Sequence, residues 1–242
     1  MKIVVAVTLY NSGDIIEKCL STIMGQTYEN FVCYIIDDMS TDNSADIAEE
    51  FIKNDKRFVL IRNTEKRYQG GNYDLICRDT LGIDDEDILV EVDGDDWLAN
   101  GVVFEKVMKN YTENENIWIS NGSFKYVDGK MGFSSQLVDI SKLRGGPFTA
   151  SHLRTWKIFL WRAIKPEDLR DSEGNWWTCS CDLIFMYDML ELAGLEHYNF
   201  MSDIHYIYND QSNLNEHKVY GANVIRMNKF SASKTPREKL IR

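Results

Sequence analysis

No run in this 242-residue chain approaches the roughly 20 apolar residues that a helix needs to cross a bilayer, so no membrane span is expected. The opening MKIVVAVTLYNSGD turns polar too soon for a secretory leader, and the expectation is a cytoplasmic protein. Positive charge is also short. Lys and Arg total 27 against 38 Asp and Glu, a net charge of -11 and a pI near 4.9. That balance argues against nucleic acid or an anionic membrane surface as a general partner, while leaving peripheral membrane contact and local nucleotide binding open. The five cysteines are an odd number without a paired zinc-ligand spacing, and Cys179-x-Cys181 has no second pair to match it. Free, mostly buried thiols are expected. Repeats and low-complexity tracts are absent, and with 44% hydrophobic residues the chain can bury one substantial core, so a single domain is expected.

The first part of the chain, residues 1–115, alternates. KIVVAVTLY, FVCYIIDD, RFVLIRN and EDILVEVD are short apolar runs of strand type. Between and after them, NSGDIIEKCLSTIMGQ, TDNSADIAEEFIKND, GNYDLICRDTLGI and GVVFEKVMKNY have helical spacing; in the first, Asn11 or Ser12 is the expected cap and Gly25 the stop. Strands alternating with helices imply an α/β fold with parallel pairing and right-handed crossovers. The rhythm changes over residues 116–225. IWISNGSFKYVDGKMGFSS reads as a strand and hairpin with Asp128-Gly129 at the turn, and TASHLRTWKIFLWRAI is amphipathic through Leu153, Trp156, Phe159 and Leu160. CDLIFMYDMLELAG is a helix stopped by Gly194, HYIYNDQSN is a late strand, and the basic tail, residues 226–242, is expected to pack poorly.

In an open parallel sheet, ligands bind beyond the carboxyl ends of the strands. Polar residues collect at those ends here: Thr8, Tyr10 and Asn11 after the first, Asp37 and Asp38 after the second, and Asp93, Asp95 and Asp96 after the fourth. In DILVEVDGDDWLAN an apolar run delivers three carboxylates to one place, where they repel unless a cation compensates. A turn or a helix cap accounts for one of them. A hard divalent cation, Mg²⁺ or Mn²⁺, accounts for the rest, since it takes carboxylate oxygens and shares its other positions with water and phosphate.

Four segments in this order, VAVTLYN, IIDDMSTDNS, VEVDGDDWL and the acid-opened helix SCDLIFMYDMLELAG, resemble the family 2 glycosyltransferases of the GT-A fold. The resemblance runs over roughly residues 1 to 210. It implies a Rossmann-like, mostly parallel central sheet flanked by helices, in a single domain. Residues 1–115 would be the nucleotide-sugar half and residues 116–225 the acceptor and catalytic half. It also implies an inverting transfer from a nucleoside diphosphate sugar to an acceptor hydroxyl of a glycan or glycoconjugate.

The implied roles fall on named positions. Thr8, Tyr10 and Asn11 would lie along the base, and Asp38 would accept from a ring N–H such as uracil N3, which favours UDP but fits thymidine equally. Asp93, Gly94 and Asp95 match the family's D-x-D signature, with Asp95 on the metal or the diphosphate and Asp93 sharing the metal or touching the ribose. Asp182 would be the general base, although Cys181 stands where the family commonly has Glu; a plain helix N-cap is the competing role. Arg67, Gln69 and Asn72, with the glycine pair Gly70-Gly71, are candidates for lining the base and phosphates. His152 and Arg154 lie in a segment that similar enzymes place near the diphosphate, His217 is a candidate extra metal ligand, and Trp176 or Trp177 could stack on an acceptor sugar.

Two alternatives remain at this stage. One is a metal-dependent sugar nucleotidyltransferase, though TLYNSGD lacks the Lys or Arg such enzymes usually carry after the first strand. The other is a catalytically silent sugar-nucleotide-binding module, which intact Asp93, Asp95 and Asp182 argue against.

Overall fold

The computed structural model describes residues 1–212 and 216–242, with backbone alone at 216, 217, 222 and 223. The first half builds β1 (Ile3–Leu9), α1 (Ile16–Met24), β2 (Phe31–Asp37), α2 (Ser44–Ile52), β3 (Phe58–Arg62), α3 (Tyr68–Asp74), β4 (Ile88–Asp93), β5 (Trp97–Leu98) and α4 (Val103–Thr112). The second builds β6 (Ile119–Tyr126), β7 (Arg154–Lys157), α5 (Ile158–Arg162), α6 (Cys181–Ala193), β8 (Tyr198–Tyr208), α7 (Glu216–Val219) and α8 (Ala222–Ser233). The strands form one sheet in the order β3-β2-β1-β4-β7-β6-β8-β5. The first four are parallel, as the alternation of strands and helices predicts. β7 then runs antiparallel to β4 and β6, and this reversal is the change of rhythm seen after residue 115.

Side chains along a strand alternate between the two faces of the sheet, so each strand supplies both cores. Val5 and Val7 of β1 and Val90 and Val92 of β4 pack with Ile16, Leu20 and Ile23 of α1 and with Phe104 and Val107 of α4. Val4, Ala6 and Leu89 point the other way, against Tyr73 of α3, Trp161 of α5 and Phe185 and Met189 of α6. Each fully buried Val, Leu or Phe of these layers contributes about 1.5–3 kcal/mol. Among the described residues, no helix is long and apolar enough to cross a membrane.

Several expectations are corrected. The stretch TASHLRTWKIFLWRAI holds strand β7 and the short α5 rather than one amphipathic face; residues 150 to 161 are all buried, so hydrophobic periodicity carries no signal there. Neither Asn11 nor Ser12 caps α1 through its side chain; the Ser12 carbonyl accepts from Ile15 and Ile16, and Asn11 Oδ1 accepts from the Thr41 and Asp42 amides instead. The hairpin turn forms at Asp128-Gly129, but its return arm is a single bridge from Met131 to Lys125. The tail is docked rather than loose. Arg237 pairs with Asp168 and Asp188, and the Leu240 amide donates to the Leu192 carbonyl at 2.8 Å.

Candidate active site

The second face of the sheet turns polar toward the carboxyl ends of its strands. On β1 it reads Val4, Ala6, Thr8, and on β4 it reads Leu89, Glu91, Asp93, with Ala6 beside Glu91 and Thr8 beside Asp93. β7 pairs Trp156 with Leu89 and Thr155 with Val90, so one step further Arg154 falls opposite Glu91. The first turn of α6 brings Asp182 over this patch, and α3 brings Gln69 and Asn72. The result is the floor of a cavity of about 700 Å³ lined by Thr8, Tyr10, Asp38, Asp93, Asp95, His152, Arg154 and Asp182, among others.

Hydrogen bonds join the floor into one network. Thr8 Oγ1 donates to Asp93 Oδ1 at 3.2 Å, and Gln69 Nε2 lies 3.2 Å from both Asp93 Oδ1 and Glu91 Oε1. Arg154 donates through Nη1 to Glu91, through Nη2 to Asp182 Oδ2 at 2.6 Å, and through Nε to the Ala150 carbonyl at 3.3 Å. Asp182 lies one residue inside α6, after Cys181, and its side chain engages Arg154 rather than the helix end; the N-cap position belongs to Ser180. The capping role is thereby excluded.

The charges do not balance. Burial and the neighbouring Asp95 push Asp93 up to about 6, against the pull of Arg154 and Thr8. Burial, with the charges of Asp93 and Asp182, raises the Glu91 pKa, while the Arg154 guanidinium bonded to it opposes that rise and favours its charged form. Asp95 is raised by burial, and Asp96 well raised by burial and by Asp95 and Asp93, while the carboxylates around Arg154 hold its guanidinium firmly cationic. Such a site invites a further cation.

The donor set fits one. Glu91, Asp93 and His152 each offer a ligand atom within 4.8 Å of the others, and Glu91 Oε2 and His152 Nδ1 are buried without a hydrogen-bond partner. Burial and Arg154 drive the His152 pKa well below its ordinary value, so the ring is neutral and keeps a lone pair to donate. Carboxylate oxygens with one imidazole suit Mn²⁺, and carboxylates with water suit Mg²⁺.

The structure brings together Thr8, Tyr10, Asp38, Asn72, Asp93, Asp95, His152 and Asp182 around the cavity. Three other predicted residues stand elsewhere or act through the backbone. Asn11 braces the turn at Thr41 and Asp42 (its carbonyl oxygen is taken by those amides). Arg67 turns its side chain to Glu65 and contributes its amide, which donates to Asp38 Oδ1 at 2.8 Å. Gly94 serves by having no side chain, because a Cβ there would lie 2.8 Å from the Thr8 carbonyl. The side chain of His217 lies outside the described residues.

Asp37 closes the turn that follows β2, accepting from the Ser40 amide at 3.3 Å. Asp38 accepts from Asn63 Nδ2, the Arg67 amide and the Tyr68 amide at 2.8–2.9 Å, and Lys66 Nζ stands 3.6 Å from its Oδ2, so its four lone-pair directions all face donors of the protein. Gly71 makes its close approach to the Trp176 indole, 2.7 Å from where a Cβ would sit, rather than to a phosphate. Trp177 packs on Phe230, so neither tryptophan supplies the cavity wall.

Sequence reasoning missed Glu91, Lys66 and the aromatic wall. Lys66 Nζ stands 3.1 Å from the Tyr10 ring centroid and donates to the Asp38 carbonyl at 2.7 Å. Phe124, Tyr126, Phe133 and Tyr208 line the cavity, with Phe124 and Tyr208 against His152 at 5.8 and 5.5 Å between centroids, and His152 stacks on Tyr206 with centroids 4.5 Å apart. Glu91 had a legible signal: a charged residue in the middle of an otherwise apolar strand.

The sequence pattern described as glycosyl transferase family 2 matches residues 4–179. Among curated proteins, poly(ribitol-phosphate) beta-glucosyltransferase of Bacillus spizizenii is 28% identical over 132 residues, covering 54% of this chain and 20% of that one. Glycosyltransferase GlyA of Streptococcus pneumoniae serotype 4 is 33% identical over 122 residues, covering 46% and 15%. The matches therefore span a fifth or less of these relatives' length. Among solved structures, S. aureus TarS 1-349 in complex with UDP-GlcNAc shares the fold at TM-score 0.70 and 18% identity, covering 96% of this chain and 66% of that one. Mannosyltransferase PcManGT from Pyrobaculum calidifontis, in complex with GDP-Man and Mn2+, aligns at TM-score 0.58 and 15% identity, covering 86% and 56%.

Proposed function

The chain belongs to glycosyl transferase family 2, and from that premise we propose that it inverts the anomeric centre of a UDP-sugar while transferring it to a hydroxyl of a glycan or glycoconjugate. The observation that carries this reading is the convergence of Asp93, Asp95 and Asp182 on one cavity. Thr8, Tyr10, Asp38 and Asn72 border one end, which suits a nucleoside. A carboxylate is acceptor-only, so Asp38 suits the N3–H of uracil, which would take the direction that Lys66 Nζ faces at 3.6 Å. Tyr126, Phe133 and Tyr208 also line the cavity, which suits the apolar face of an acceptor sugar.

In the proposed step the acceptor oxygen attacks the anomeric carbon as the bond to the diphosphate oxygen breaks. The electron pair leaves with the nucleoside diphosphate, and the acceptor proton passes to Asp182. Proton removal by a positioned carboxylate accelerates such a step by about 10²–10⁴-fold. One base and a single in-line displacement give inversion; retention through a covalent intermediate would need a second carboxylate as nucleophile, by analogy with glycoside hydrolysis. Asp93 and Asp95, with Glu91 and His152 beside Asp93, would hold Mn²⁺ or Mg²⁺, and the bound cation would neutralise charge developing on the diphosphate. The reading includes a cytoplasmic site of action and peripheral contact where the acceptor is carried on a membrane.

Asp182→Asn tests the assignment of the base. UDP binding is expected to stay within about threefold while transfer falls by about 10²-fold or more. Full transfer activity in that variant would remove Asp182 from the chemistry.

A further inference from the structure

We infer that Arg154 is a positioning residue that aims the Asp182 carboxylate at the acceptor, with Glu91 as the buried counter-charge that fixes Arg154; this rests on Asp182 being the base. The Arg154 side chain is 3% exposed and that of Glu91 is fully buried. The planar guanidinium is held on three sides at once: Nη1 on Glu91, Nη2 on Asp182 Oδ2 and Nε on the Ala150 carbonyl. A fork fixed in three directions cannot rotate, so it fixes whatever its remaining edge holds. With Oδ2 taken, Asp182 keeps Oδ1 for the acceptor hydroxyl.

Glu91 needs its own explanation. It stands between Leu89 and Asp93, where that face passes from hydrophobic to polar, beside Ala6 and near Trp156. A buried ion pair is a weak stabilising device, because desolvation consumes most of the Coulombic gain and apolar residues of similar volume serve the fold as well or better. The pair is therefore poorly explained by stability alone. It is explained if Arg154 must stand rigidly beside Asp182, since a cation at that depth requires an anion on its far side. Gln69 extends the arrangement from Glu91 to Asp93. The base and the donor-side acid thus hang on one hydrogen-bonded frame, which sets their separation.

The inference separates positioning from folding. Arg154→Lys keeps a positive charge for Glu91 but loses the fork, and Glu91→Leu/Arg154→Met removes both charges together, a replacement that buried pairs commonly tolerate without loss of stability. Arg154→Lys is expected to melt near the wild type and to bind UDP with Mn²⁺ within about threefold of it, yet to lose about tenfold or more in transfer kcat, with the donor KM little changed; the double variant, which also removes a candidate cation ligand, is assayed at saturating Mn²⁺ and donor and should be folded and lose at least as much kcat. A folded double variant that transfers at the wild-type rate would overturn the inference, because it would leave the pair a structural role only. So would Arg154→Lys at full kcat. Asp182→Asn, assayed alongside, tells the two failures apart. If it is inactive while the double variant is active, only the role of Arg154 falls; if Asp182→Asn is fully active, the assignment of the base falls first.

Discussion

Replacing Asp93 by Asn should make the metal-free protein more stable, and the gain should grow with pH. The folded Asp93 holds its proton up to about pH 6, where an ordinary aspartate loses it near 3.8. That gap, about two pH units, corresponds to about 3 kcal/mol. The raised folded value fixes the sign: below about pH 4 both states are protonated and nothing is lost, and stability then falls as pH rises to about 6 and levels off above about pH 7. Asn titrates nowhere in this range, and its carbonyl still accepts from Thr8 and Gln69, so subtracting wild type from variant reads the Asp93 charge together with the rise it imposes on Glu91 and Asp96. Buried His152 and His205, whose pKa values are lowered, oppose the trend in both proteins and cancel in the difference. Between pH 5 and pH 7 the stability difference should widen by about 1 kcal/mol in favour of Asn. For a chain of this size that is about 2–4 °C in melting temperature. Urea melts in EDTA at pH 5, 6 and 7 measure it. With Mn²⁺ at a hundred times its Kd the wild type should instead gain about 2.7 kcal/mol and the variant less. A difference that stays flat from pH 5 to 7 would refute the crowding of negative charge on which the cation site is argued.

Three further outcomes follow from packing and pairing. Asp188→Ala strips Arg144, whose side chain is largely buried, and half-buried Arg237 of a shared, buried carboxylate, each at 2.8 Å, and should cost about 3 kcal/mol in urea unfolding and open the tail to trypsin at Arg237 and Lys239; an undisturbed tail would show that it docks by other means. Gly71→Ala drives a methyl group into the Trp176 indole at 2.7 Å and should lose about 1–3 kcal/mol, read from the urea midpoint, whereas an unchanged midpoint would mean that the indole moves freely. Phe133→Ala should raise the acceptor KM severalfold and leave UDP affinity alone; a matched loss of UDP affinity would place Phe133 on the donor side instead.

Much of the fold was legible because the first half speaks in two clear periods. Apolar runs such as IVVAVTL and the helical spacing of Ile16, Cys19, Leu20 and Ile23 each have one physical solution, and their alternation dictates a parallel sheet. The centre of the second half was not legible. Residues 150 to 161 are buried on every side, so they show neither period, and strand β7 was hidden inside an apparent amphipathic stretch. The site was readable where a residue's chemistry is unusual for its position, as with Asp93 and Asp95 at a strand end. It was misread where a residue acts through its backbone or through missing bulk. Arg67 lends an amide, Gly94 a gap and Gly71 room for an indole, and side-chain chemistry predicts none of these. The partnership of Arg154 with Glu91 depends on which strands are neighbours, and the two stand 63 positions apart in the sequence.

The most direct test of the account is calorimetric titration of the protein with UDP, GDP, dTDP and CDP, each with and without Mn²⁺, repeated on Asp95→Ala. The account predicts Mn²⁺-dependent binding that favours UDP, with dTDP its nearest competitor, and loss of the Mn²⁺ dependence in the variant. Absence of binding by every diphosphate, or binding that neither Mn²⁺ nor Asp95 affects, would contradict it.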